Sequence, residues 1–302
     1  MKKILYLLLI LPLLFSSCNN DDSVMGEEIV EVSFCARLPY EMGTRASSTL
    51  SVDRVYCAVF ENGEEIDNFR QTINIDNGEP IVYSPRLVKG RTYQIVFWAS
   101  KEGAYDVTNM TAITRTSNTT FTEVDFDAFT AAIPITVMGN YTGAIMLRRP
   151  IAQLNMGMTQ EDWNGVANPE TFNMVPTTTK ITIPGKTTFN ALTAEATGEE
   201  VDITYNLEVS GAEFVCAENT YKSIAMCYVL AESDKAIKDI TYSVYDQEHN
   251  AIRENAVIHF VPFKRNYKTN LVGGLLTGDV FYTISSENFS GTDNDQNTEM
   301  IR

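Results

Sequence analysis

The chain has 302 residues, 44% of them apolar, and 39 acids against 23 bases give it a net charge of −16. A chain of this length and apolarity buries a core in one large or two ordinary domains, which excludes general disorder. The acidic balance argues against nucleic-acid binding and against attraction to anionic membranes.

The opening stretch is MKKILYLLLILPLLFSSCNNDD. Lys2 and Lys3 lead into an apolar run from Ile4 to Phe15, and small residues then precede Cys18. About a dozen apolar residues are too few to span a bilayer and match a signal-peptide core. Residues 1–17 are therefore expected to be a lipoprotein signal peptide, cleaved before Cys18. The Cys18 thiol would carry the lipid, with fatty-acyl chains such as palmitate contributing about 0.8 kcal/mol per buried methylene. Function is then expected outside the cytoplasm. Residues 18–28, polar and acidic, read as a tether between lipid and folded domain.

From residue 29 onward nearly every ordered-looking run has strand character. IVEVSFCARL sets Val30, Val32, Phe34, Ala36 and Leu38 against Glu31, Ser33, Cys35 and Arg37, a period of two that marks a half-buried strand. EMGTRASSTL follows (41–50), rich in Gly, Ser and Thr, and Arg45 is the only base between Arg37 and Arg54. Then come RVYCAVF, TYQIVFWAS, AIPITVM, AIMLRRPIAQLNM, VDITYNLEV, SIAMCYVLA, ITYSVYD, AVIHFVPF and NLVGGLL, punctuated by Gly, Asn, Asp and Pro. Only MTQEDWNGV predicts a helix, and a short one. The fold class expected is all-β, built of sandwiches.

A weak internal repeat predicts two of them. VDRVYCAVFENGEEI (52–66) and IKDITYSVYDQEHNAI (237–252) share apolar positions and a following acid, Glu61 and Asp246. Downstream, Arg91 and Tyr93 align with Arg265 and Tyr267. The boundary is placed near Pro150, giving sandwich domains at 29–149 and 150–289 and a polar tail at 290–302.

Chemistry-bearing patterns are missing. His249 and His259 have no Cys/His cluster nearby, and no HExxH, CxxC, GxSxG or P-loop pattern occurs. VDFDAF (124–129) offers oxygen ligands for calcium but lacks the spacing and glycine of a calcium loop. VGGLLTG lacks the lysine and the strand–helix setting of a phosphate cradle. Trp98 lies in IVFWAS, where core packing is expected over sugar stacking. Cys35, Cys57, Cys216 and Cys227 allow three disulfide pairings, and buried free thiols fit equally. No enzyme activity, cofactor or metal is expected.

Several of these runs together resemble one family. The lipoprotein signal, then VSFCARLP, GTRA and AVFENGEEI, then YDVTNMTAI, RRPIAQLNMG, ITYSVYD and above all VPFKRNYKTNLVGGLLTG, resemble the fimbrillins of Bacteroidetes, subunits of lipoprotein-derived (type V) pili. The likeness spans nearly the whole chain. It implies two transthyretin-like sandwiches in tandem, export to the outer membrane as a lipoprotein, and a cell-surface or pilus location. It further implies that an arginine-specific protease cuts after the first strand, here between Arg45 and Ala46. Another pilus subunit then fills the vacated groove by strand addition. The C-terminal candidate donor, GDVFYTISSENF (278–289), is short and polar beyond its end, which fits an accessory, tip or anchor role. A Cys35–Cys57 bridge would prevent release of the first strand. The alternative is a surface lipoprotein that binds a glycan or host protein and never polymerises.

Overall fold

The computed structural model describes residues 27–39, 51–75, 81–117, 119–167, 174–232, 235–277 and 281–289. In the first half the strands are β1 (Ile29–Arg37), β2 (Arg54–Glu61), β3 (Glu64–Glu65), β4 (Gln71–Asn74), β5 (Ile81–Tyr83) and β6 (Arg86–Val88). They continue as β7 (Thr92–Ser100), β8 (Tyr105–Asp106), β9 (Ile113–Arg115), β10 (Ala128–Thr136) and β11 (Tyr141–Met146). The second half begins with β12 (Ile151–Met158), the helix α1 (Gln160–Ala167), β13 (Thr178–Gly185), β14 (Thr188–Asn190) and β15 (Glu195–Thr197). It ends with β16 (Val201–Glu208), β17 (Glu213–Cys216), β18 (Asn219–Leu230), β19 (Ala236–Tyr245), β20 (Ala251–Phe263), β21 (Tyr267–Gly274) and β22 (Phe281–Asn288).

Two sandwiches result. In the first, β1 lies between β11, which runs parallel to it, and the antiparallel β5 and β6. The opposing sheet has the order β10-β7-β2-β3, with β4 also on β2. In the second, one sheet has the order β17-β18-β12-β21-β22 and the other β16-β13-β19-β20. Each pair of sheets encloses its own core, as two amphipathic sheets must.

The same topology is used twice. β12 is parallel to β21 and antiparallel to β18, as β1 is parallel to β11 and antiparallel to β5 and β6. Opposite them, β13 pairs with β16 and β19, and β19 with β20, as β2 pairs with β4 and β7, and β7 with β10. This corrects the repeat read from sequence. Residues 52–66 contain β2, whose counterpart is β13, whereas 237–252 contain β19, whose counterpart is β7. The two segments look alike because each is a strand running into a tight turn, with positive φ at Asn62 (54°) and Gly63 (86°) in one and at His249 (63°) in the other. Hairpin chemistry, not common position, produced the match.

A fifth sheet, β15-β14-β9-β8, takes strands from both halves. It covers the outer face of the β2–β7–β10 sheet, where Trp98 is fully buried against Tyr105 (5.1 Å) and Phe189 (5.5 Å). The core assignment of Trp98 is correct. The predicted helix is α1, started by Thr159, whose hydroxyl accepts from Asp162 N–H at 3.1 Å.

Asp162 also ties the helix to the loop before β22. Its carboxylate accepts from the N–H groups of Leu275 (2.7 Å), Leu276 (2.8 Å) and Thr277 (2.9 Å) and from the Thr277 hydroxyl (2.6 Å). Within VGGLLTG, the residues Leu275, Leu276 and Thr277 just past β21 thus donate to a carboxylate of their own chain. Asp162→Ala leaves those buried donors unmatched, and we expect a loss of about 2–4 kcal/mol. An unchanged urea midpoint would contradict this role.

Candidate functional site

β1 is the element on which the first core is built. Val32, Phe34 and Ala36 are at most 2% exposed and Val30 8%, all on the inner face, while Leu38 packs at the core's edge. Phe34 meets Phe97 edge-on at 6.2 Å and lies 5.8 Å from Tyr141 of β11. The backbone is held on both sides. Cys35 is opposite Ala144 on one side and Val82 on the other, and Val32 N–H reaches Pro85 O at 3.0 Å, bridging the break between β5 and β6. Only a central strand is paired this way, so its departure would bare two edges and an apolar groove at once.

Cys35 and Cys57 are both free, so no bridge ties β1 to β2, and Cys216 and Cys227 are free as well. The reason is alternation: Cys35 sits on the outer face of β1, and Cys57 is fully buried in the core. Burial pushes the Cys57 and Cys227 thiols far up, which makes them inert packing residues. Cys18, Arg45 and Ala46 lie outside the described residues, as does the tail 290–302. The flanks of the 40–50 segment are described: Arg37 O accepts from Leu147 N–H (2.9 Å), and the Ser51 hydroxyl donates to Asp125 (2.9 Å).

The VDFDAF carboxylates are each committed to protein donors. Asp125 accepts from Lys101 Nζ (2.5 Å), Ser51, and the N–H (2.8 Å) and hydroxyl (2.9 Å) of Thr122. Asp127 makes a two-pronged pair with buried Arg149, Nε and one terminal nitrogen each donating at 2.8 Å. Among the described residues no group of three or more metal-ligating side chains forms. Of the histidines, His249 shapes a turn and His259 pairs with Asp239 at 2.9 Å.

The expected donor segment is β22, and it is paired along β21 from Tyr267–Asn288 to Gly274–Phe281. Ile284 enters the second core, and Asn266 bonds Asn288 at 3.0 Å. Beyond it the Phe289 ring lies 4.1 Å from the Arg149 guanidinium, which is also 4.6 Å from the Phe129 ring. Arg149 therefore links the first core, Asp127 and the last strand. Sequence reading missed it; the available signal was a base inside the apolar run AIMLRRPIAQ, which a buried pair alone can accommodate.

Residues 24–302 match the model of a family of unknown function (DUF6562), and the chain belongs to that family. No curated protein sequence matches it. Solved structures do share its fold. The tip fimbrial protein Mfa3 from Porphyromonas gingivalis, C-terminally truncated, superposes with a TM-score of 0.51 at 11% identity, covering 86% of this chain and 100% of that one. A candidate adhesin from Bacteroides ovatus gives 0.51 at 12% identity, covering 86% and 94%. A candidate polysaccharide-binding protein from Bacteroides thetaiotaomicron gives 0.50 at 12%, covering 86% and 96%. The chain thus shares its fold with these fimbrial and adhesin structures.

Burial pushes the Asp125 carboxyl up, but the Lys101, Thr122 and Ser51 hydrogen bonds outweigh it and hold the group at about 2. A folded value below the ordinary 3.8 means that the carboxylate stabilises the fold above about pH 4. That contribution is lost as pH falls through about 2. Asp125→Asn should lack this part of the acid response when urea midpoints are followed from about pH 5 to about pH 2. Parallel curves for the two proteins would contradict the assignment.

Proposed function

We propose that the chain is a structural or adhesive subunit of a cell-surface pilus, without catalytic activity. Anchored through Cys18 to the outer membrane, it is cut between Arg45 and Ala46, loses β1, and receives a strand from another subunit in its place. The observation that carries this reading is the position of β1, which fills a groove between two strands and supplies one face of the first core. The cut would fall between β1, which ends at Arg37, and β2, which begins at Arg54. Free Cys35 removes the obstacle to release. The product, residues 46–302, keeps 33 of 39 acids and 19 of 23 bases, a net charge of −14. A replacing strand regains about 1.5–3 kcal/mol for each large apolar side chain it buries.

The second reading is a monomeric surface lipoprotein that binds a glycan or host protein. One observation favours it: β22, the expected donor, is already paired with β21.

Cys18→Ala should abolish palmitate labelling and fractionation with the outer membrane; retention of both would contradict the anchor. Limited trypsin treatment should convert wild type to high-mass ladders on mild denaturing gels and leave Arg45→Ala without them. Such ladders from Arg45→Ala under the same treatment would contradict processing at this position.

A further inference from the structure

The second sandwich shows how an edge of this architecture is closed. β22 lies antiparallel on β21, with Ile284 in the core and Tyr282 packed against it. β11 holds the corresponding place in the first sandwich, parallel to the central strand, yet it is the outermost strand of its sheet. Beside it Ile133, Ile135 and Ile145 are only partly buried. A cleft of about 380 Å³ opens there, lined in part by Phe34, Ile135, Met138 and Tyr141. Met138 is 74% exposed and Met146 52%.

The backbone of that edge is available too. Leu147 N–H points to Arg37 O, and residues of a parallel strand alternate between its two sides. Thr142, Ala144 and Met146 therefore turn their N–H and C=O groups away from β1, where no described strand covers them. Edges are ordinarily blocked by charge, proline or bulges. β10 carries Pro134, and β20 carries Pro262 with shifts in its pairing. β11 has no such device: residues 128–147 contain no charged side chain, in a chain that holds 62.

We propose that β11 is a self-association edge, at which two copies pair β11 to β11 about a two-fold axis beside Ala144. Such a contact is antiparallel by symmetry, the direction β22 has on β21, and it places Thr142 opposite the partner's Met146. It brings the two apolar clefts together. Two chains of net charge −16 repel over most of their surface, and the uncharged hairpin is where close approach costs least. The pairing requires neither cleavage after Arg45 nor release of β1, so it stands apart from the pilus reading.

The test uses the chain from Asn19 onward, which contains every described strand. Sedimentation over a dilution series should show a reversible dimer, and hydrogen exchange should show the Ala144 and Met146 amides slowed in it. Ala144→Pro removes an N–H that the β1 ladder does not use, and should abolish the dimer while the fold persists. Met138→Lys keeps every backbone donor of β11, puts a charge at the cleft, and should abolish it as well. A monomer at every concentration would overturn the proposal, as would a dimer indifferent to both substitutions or one whose β11 amides exchange as in the monomer. A dimer in which the β22 amides lose protection would assign the contact to the last strand and overturn it equally.

Discussion

The structure depends on the two-sided pairing of β1. A strand between two neighbours contributes hydrogen bonds to both and a face of side chains to the core, so it cannot leave without cost to three elements. Val30, Val32, Phe34 and Ala36 give the first sandwich one face of its interior, and Phe34 joins two aromatic contacts to it. Among the described strands it comes first in the chain, so the proposed cut in the segment after it would separate it from every other described strand.

The duplication explains why this arrangement is usable. β12 is the counterpart of β1, but it lies mid-chain, joined to β11 by the short 147–150 connection, and no cut in one loop could release it. The second sandwich is also closed at the edge where the first is open, by β22. Arg149 stands where the halves meet, paired with Asp127 and flanked by Phe129 and Phe289. An ion pair buried this deeply stabilises little by itself, yet losing either partner strands a charge, so it fixes how β10 and the end of β22 sit. The fifth sheet adds a second tie between the halves through β9 and β14.

Much of this was legible in local sequence because strands announce themselves by alternation. IVEVSFCARL and VDITYNLEV read correctly, since one face of each strand is buried and period two follows; TYQIVFWAS, buried on both faces, read as a strand from its β-branched and aromatic content. The short helix was legible from MTQEDWNGV. The repeat was recognised as two sandwiches but aligned wrongly, because a hairpin signature carries no information about which hairpin it is. Asp162 and Arg149 were invisible for a different reason. Asp162 meets residues 113 to 115 positions away, and nothing in TQEDW distinguishes its carboxylate from a solvated one. The candidate residues Cys18, Arg45 and Ala46 rest on sequence alone, whereas the central place of β1, from which its exchange is proposed, rests on pairing and burial.

The account stands on β1 being absent from the assembled form. Mass spectrometry of the N-terminal peptide from high-mass material recovered at the cell surface measures this directly. We expect subunits that begin at Ala46. Assembled subunits that all begin at lipidated Cys18, with β1 still attached, would contradict the account.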